Sequence, residues 1–276
     1  MRRKRTGFTV VELLAALGII ALMVGLLIPA LSMVRRTAKE TKQKAQFTTI
    51  SLALTTFKND YGDYPPSDWT PVQFTGDYCG TQKLTEALLG WDLLGFHPKS
   101  DFRSNGINDN GEPVYDVDNP VFFDQRRGPY LELATADAFR LGNIFNNTAP
   151  LAPNTFVLCD AFGAQKVMLA NGKTARAGAP ILYYRANTSG RTIREIYNAQ
   201  DNDAIVAIKD IADDGVIGDH PLGKAQNQYQ FFYDDYIRDP KISARPWPYR
   251  PGSYILISAG VDGLYGTGDD IRNFGN

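Results

Sequence analysis

Histidine and cysteine are scarce in this chain of 276 residues, with two of each. His97 and His220 both stand before a proline, and neither has neighbours at the spacing of a zinc site. Cys79 and Cys159 are too far apart in sequence for a Cys-x-x-Cys metal or redox motif. Their number is compatible with one disulfide in an oxidising compartment, and equally with two buried thiols. No G-x-S-x-G elbow and no P-loop is present. Internal repeats and low-complexity tracts are also missing. With no recognisable nucleophile, metal cage or phosphate cradle, the chain is expected not to be an enzyme. Charge is missing in one place too: from Phe8 to Val34 the only ionisable residue is Glu12.

What is there begins with an asymmetry. The net charge is −1, yet residues 1–44 hold nine Lys or Arg against Glu12 and Glu40. The remaining chain is correspondingly acidic, which argues against a nucleic-acid-binding body and for membrane attachment at the amino end. Arg2, Arg3, Lys4 and Arg5 form a cationic head. The apolar run after them exceeds the ~20 residues needed to span a bilayer core. Such a head stays on the cytoplasmic side, which places the body outside. The run is too long for a cleavable secretory signal and continues directly into a helical pattern, so an uncleaved signal anchor is the plain alternative.

Past the span, Phe47, Ile50, Leu54 and Phe57, with Ala53, fall on one face of a helix. That helix is expected to stop near Asn59–Gly62, ahead of Pro65 and Pro66. Pro29 removes one intrahelical hydrogen bond and is expected to kink or locally melt the rod. We therefore divide the chain into a leader (1–7), a membrane-spanning helix (8–34), an amphipathic second half of the same helix (35–62) and an exported body (63–276).

In the body, Thr81–Gly90 reads as a short helix, with Gly90 as its stop. A second helical piece is expected around Leu133–Leu141. Aromatic and β-branched content marks four strands: Phe156–Cys159, Ile181–Arg185, Tyr229–Tyr233 and Tyr254–Ser258. Long polar loops between them fit a small antiparallel sheet laid on the second half of the long helix, an α+β body. Segments 100–120 and 201–220 are loop-like and have no assigned role. The Asp201–Asp203 and Asp210–Asp219 runs read as solvated turns. Near the carboxyl end, Asp262, Asp269 and Asp270 share a loop with Gly260, Gly263, Gly266 and Gly268. A glycine-rich loop lets backbone carbonyls join carboxylates around calcium, although Asp-Gly pairs are equally common in solvated turns.

The stretch Gly7-Phe8-Thr9-Val10-Val11-Glu12-Leu13-Leu14, behind a basic leader and ahead of a long apolar helix, resembles the prepilin signal of type IV pilins and type II secretion pseudopilins. The resemblance implies cleavage between Gly7 and Phe8 by a membrane prepilin peptidase, which also N-methylates Phe8. It implies that Glu12 neutralises the terminal amine of a neighbouring subunit and that Pro29 is the helix-bending proline. Lower down, Gly128-Pro129-Tyr130-Leu131 and Asp160-Ala161-Phe162-Gly163 are similar to the major pseudopilin core, with Ala161 and Phe162 replacing the usual Pro and Trp.

The carboxyl loop is similar to that family's calcium loop. Asp262 and Asp269 match its carboxylates, the Ala259 carbonyl a backbone ligand, and Asp270 is an addition. The implied protein is a fibre subunit of the bacterial inner membrane with a periplasmic body. It would self-polymerise and work with minor pseudopilins and an inner-membrane assembly platform. A type IV pilin or minor pilin is the nearest rival. A signal-anchored exported enzyme or binding protein is the rival from another class.

Overall fold

In a computed structural model of the chain, the described residues are 9–72, 74–163, 165–169, 171–208, 220–223 and 227–275. They divide into two compact units, the first ending at Thr41 and the second starting at Lys42. The fold is α+β, with one long apolar amino-terminal helix followed by small antiparallel sheets and long loops.

Helix α1 (Val10–Tyr61) has 52 residues, about 78 Å at 1.5 Å per residue. It is helical through Pro29, so the expected local melting does not occur. One missing N–H in so long a run leaves the flanking hydrogen bonds to hold the backbone. The helix ends where expected: Gly62, at φ +86°, donates its N–H to the Lys58 carbonyl at 2.7 Å. Within the second unit, Phe47, Ile50, Ala53, Leu54 and Phe57 are all buried, as their spacing requires. The opposite face carries Thr48, Thr49, Thr55 and Thr56, whose hydroxyls bond back to carbonyls four residues earlier.

Helix α2 (Gly80–Leu89) is buried along its whole length, including Lys83 and Glu86. Buried charges need partners. Lys83 donates to Asp68 at 3.0 Å and to Thr70 at 2.8 Å. Glu86 accepts from the hydroxyls of Tyr115 and Ser100. Segment 100–120 thus supplies the polar lining for one end of α2. Short helix α3 (Pro120–Phe123) follows, then β1 (Ala138–Arg140), α4 (Leu141–Ile144) and β2 (Phe156–Leu158), with β1 and β2 antiparallel. Strands β3 (Gln165–Met168) and β4 (Thr174–Ala177) form a hairpin.

The central sheet has the order β5 (Leu182–Arg185), β6 (Tyr254–Ser258), β7 (Ile271–Arg272), all antiparallel. Leu182 faces Ile257 and Tyr184 faces Ile255 in the register. Strand β6 is buried at every position, because the sheet lies between two hydrophobic cores. Ile181, Tyr183, Tyr254 and Leu256 join α1 and α2 on one side. Leu182, Tyr184, Ile255 and Ile257 join the loops and short helices on the other. The alternation of period two thus feeds two cores and leaves no solvent face.

Two expected elements are not formed. Tyr229–Tyr233 is not a strand: Phe232–Tyr236 is a wide helical turn, flanked upstream by Asn227, Gln228 and Tyr229 with positive φ. Phe232, Tyr233 and Tyr236 are the buried residues, a helical spacing that aromatic content alone conceals. Residues 133–140 are not a helix either, and only at Leu141 does the short α4 begin. Asp137 takes φ +47° and β1 pairs with β2, so a tertiary pairing overrides the local preference. Helix α5 (Ile193–Ile196) and helix α6 (Asp203–Val206) bracket residues 199–202. These are not solvated: Asp201 and Asn202 are buried. Asn202 accepts from the N–H and hydroxyl of Thr81, both at 2.8 Å, and donates to the Tyr183 carbonyl. It ties the start of α2 to β5, and so a polar run that reads as loop is an internal staple. The Asp210–Asp219 run lies outside the described residues.

Candidate functional site

The amino-terminal site is built on the first turn of α1. Gly7 and Phe8, the expected cleavage point, lie outside the described residues, as does the leader. From Val10 to Val34 the large apolar side chains are exposed, Val10 and Val11 each at 74%. Among the described residues this is the one helix long and apolar enough to cross a membrane, consistent with an anchor or a signal sequence.

Glu12 has partners within its own chain. Its Oε2 accepts from the backbone N–H and the hydroxyl of Thr9, both at 2.8 Å, and its own N–H donates to Thr9 Oγ1 at 3.3 Å. This is a reciprocal capping box, Thr9-x-x-Glu12, which satisfies N–H groups that no helical carbonyl can reach. The Thr-x-x-Glu spacing is itself the sequence signature of that box. Any cation meeting Glu12 therefore competes with the Thr9 donors. Nothing is described of the Pro29 side chain.

Two stretches singled out in the sequence, 128–131 and 160–163, tie the body's elements together. In the stretch from Gly128 to Leu131, the Tyr130 N–H donates to the Leu88 carbonyl at 2.7 Å and its hydroxyl to Asp60 at 2.7 Å. It thereby joins the carboxyl ends of α1 and α2. Gly128 has φ +81°, and a Cβ there would lie 2.8 Å from the Tyr130 nitrogen, so only glycine fits. Asp160 is buried; its carboxylate accepts from the Phe162 N–H at 3.1 Å and the Ser258 hydroxyl at 2.9 Å. Two glutamines on α1 reach the same corner: Gln43 accepts from the Ala161 N–H, and Gln46 donates to the Cys159 carbonyl.

The carboxyl loop is the hairpin between β6 and β7. Asp269 organises it, accepting from the N–H groups of Val261 (2.6 Å) and Asp262 (3.1 Å) and from the Thr267 hydroxyl (2.6 Å). Gly260 has φ +70°, and a Cβ there would meet the Asp269 carbonyl oxygen at 2.4 Å. Asp262 accepts from Leu264 N–H at 2.8 Å. Burial, with the charge of Asp269 among the lesser causes, raises the Asp262 carboxyl above its ordinary range. Burial acts on Asp269 as well, but the donors from Thr267, Asp262 and Val261 outweigh it and hold that carboxyl low.

Asp270 departs from the expected arrangement. It turns to the Tyr236 hydroxyl and the Gly266 N–H, and burial pushes it up to about 6. Among the described residues no three carboxylate, histidine or cysteine side chains are gathered where one cation reaches them all. The three-aspartate cage is thus not formed. Asp262 and Asp269 remain adjoining, joined by the hydrogen bond from the Asp262 N–H to Asp269. The loop also has an apolar anchor. Tyr265 is buried, its N–H donates to His220 Nδ1 at 3.1 Å, and its carbonyl accepts from Leu222 at 3.1 Å.

The remaining chemistry-bearing residues are structural in their surroundings. His97 is buried between Tyr115 and Phe122, with Nδ1 accepting from the Lys99 N–H. Cys79 and Cys159 are separate buried thiols, so no disulfide joins them. Cys79 caps the start of α2, and burial pushes its thiol up to about 12. Neither sulfur has the thiolate character that reactivity needs.

Compared with family models, curated proteins and solved structures, the chain gives no match.

Proposed function

We propose that the protein is a structural subunit of a pilus-like fibre, a pseudopilin of type II secretion, made as a membrane-held precursor. The observation that carries this reading is the junction of GFTVVELL with the apolar exposed helix α1, in which Glu12 is the sole charge before Arg35. On this reading a prepilin peptidase of the bacterial inner membrane cuts between Gly7 and Phe8 and methylates Phe8. The body then lies in the periplasm, and α1 is the surface through which copies pack, together with minor pseudopilins on an inner-membrane platform.

A carboxylate in lipid is costly, by roughly 2.5–3.5 kcal/mol on insertion scales. Exchange of the Thr9 hydrogen bonds of Glu12 for a neighbour's terminal ammonium lowers that cost and fixes axial register. The GPYL stretch and the β6–β7 loop support the pseudopilin reading over the pilin one. Calcium belongs to the reading as a structural ion held by Asp262 and Asp269, and no step of assembly is routed through it.

The test is the intact mass and first residue of the protein purified from its native membrane. N-methylated Phe8 is expected. A chain that still begins at Met1 sinks the fibre-subunit reading and leaves an uncleaved signal anchor.

A further inference from the structure

The loop that begins at Ser100 has a second face besides the one that lines α2. Residues 100–124 hold six acids, Asp101, Asp109, Glu112, Asp116, Asp118 and Asp124, against the single base Arg103, which pairs with Asp109. Asp116, Asp118 and Asp124 flank α3, are exposed, and form no ion pair among the described residues. Between them stand Val117, Val121 and Phe123, exposed at 50%, 63% and 44%. An apolar patch rimmed by one sign of charge is the pattern of a surface made for a partner.

The complementary surface is on the same chain. Residues 35–44 of α1 hold five bases, Arg35, Arg36, Lys39, Lys42 and Lys44, against Glu40 alone. Arg36 pairs with Glu40 within its own helix, and Lys42 with Asp137. Arg35, Arg36 and Lys39 are exposed.

We propose that the α3 face of one copy docks on the basic strip of α1 in a second copy, so that Asp116, Asp118 and Asp124 meet Arg35, Arg36 and Lys39. The contact is heterologous, one patch against a different patch, and such contacts propagate into open filaments. It rests on the fibre-subunit reading and gives that reading a contact outside the apolar span. Opposite charge selects the register and suppresses wrong pairings, because like charges brought together are strongly repulsive. Salt weakens it, since exposed charges are screened beyond about 10 Å at 0.1 M.

The experiment uses the full chain processed in its native membrane. One variant carries Asp116→Lys, Asp118→Lys and Asp124→Lys; a second carries Arg35→Glu, Arg36→Glu and Lys39→Glu; a third carries all six. Assembly is read by sedimentation and by an oxidative crosslink between copies carrying Lys39→Cys and Asp118→Cys. The native thiols are buried and do not compete. All six positions are exposed, and a melting curve for each variant confirms its fold.

Each three-residue reversal is expected to lower assembly about tenfold, and the six-residue variant to recover most of it. The crosslink should form in wild-type assemblies and fade with added salt. Reversed variants that assemble as wild type does overturn the inference while leaving the fibre reading intact. So does a six-residue variant that stays defective while the basic-strip variant loses binding to anionic vesicles, which would make the strip a lipid contact. A wild-type chain, cleaved or not, that never assembles overturns both.

Discussion

Glu12 does two things that a single substitution can separate. In the isolated chain it closes the capping box with Thr9, and in the proposed fibre it meets a neighbour's terminal ammonium. Glutamine retains the oxygen that caps the helix but not the charge; valine retains neither. Glu12→Gln and Glu12→Val are therefore expected to be inserted and cleaved normally and to be equally defective in assembly. The capping loss in the valine variant, about 1 kcal/mol, would be confined to the first turn. Quantified fibre yield beside amino-terminal processing checks this. If Glu12→Gln assembles like wild type while Glu12→Val does not, the carboxylate acts as a helix cap and charge pairing is wrong.

Elements differ in how far their residues announced them. The second half of α1 was readable because five apolar positions repeat at helical spacing and the stop is a glycine. Strand β6 was readable to the residue, since Tyr254–Ser258 is buried on both faces and bounded by Gly252 and Gly260. Residues 229–236 were misread because aromatics are common to strands and to buried helical turns, and the arbiter is a packing partner the sequence does not display. Asn202 was misread for the same reason: its two hydrogen-bond partners, Thr81 and Tyr183, lie 121 and 19 residues away in the chain.

The β6–β7 loop was half readable. Its glycines and aspartates marked the turn, but the direction of Asp270 is set by Tyr236, which no spacing rule connects to it. The calcium proposal is tested on this element. With Asp262 and Asp269 as the ligand pair, calcium is expected to raise the melting temperature of the wild type by a few degrees, as binding to the folded state alone must. The rise should vanish in Asp262→Ala with Asp269→Ala and persist in Asp270→Asn. Equal melting with calcium and with chelator would leave the loop a hydrogen-bonded hairpin and no more.

The second unit as a whole encloses carboxyls that a sequence count treats as ordinary surface charge. Asp201, buried beneath the Ser67 hydroxyl, and Asp270, turned onto Tyr236, are both pushed up to about 6, in each case first by burial. Their unfolded values lie near 3.9. The folded chain therefore holds protons that the unfolded chain has released between those limits. By linkage, stability from these groups is fully present below about pH 4 and is lost as pH rises through about 6. A two-unit shift corresponds to about 2–3 kcal/mol for each group.

Replacement by asparagine retains an acceptor for Ser67 and for Tyr236 and removes the titration. The Asp201→Asn, Asp270→Asn variant of the full chain in detergent should then match wild type near pH 4 and exceed it near pH 7. The gap should open between pH 4 and 6. Melting curves of the two proteins across that range decide the matter, and parallel curves would mean that both carboxyls titrate as they do in the unfolded chain. Mild acidification on this account protonates carboxyls already shielded from water and leaves the two cores about the β5–β6–β7 sheet in place.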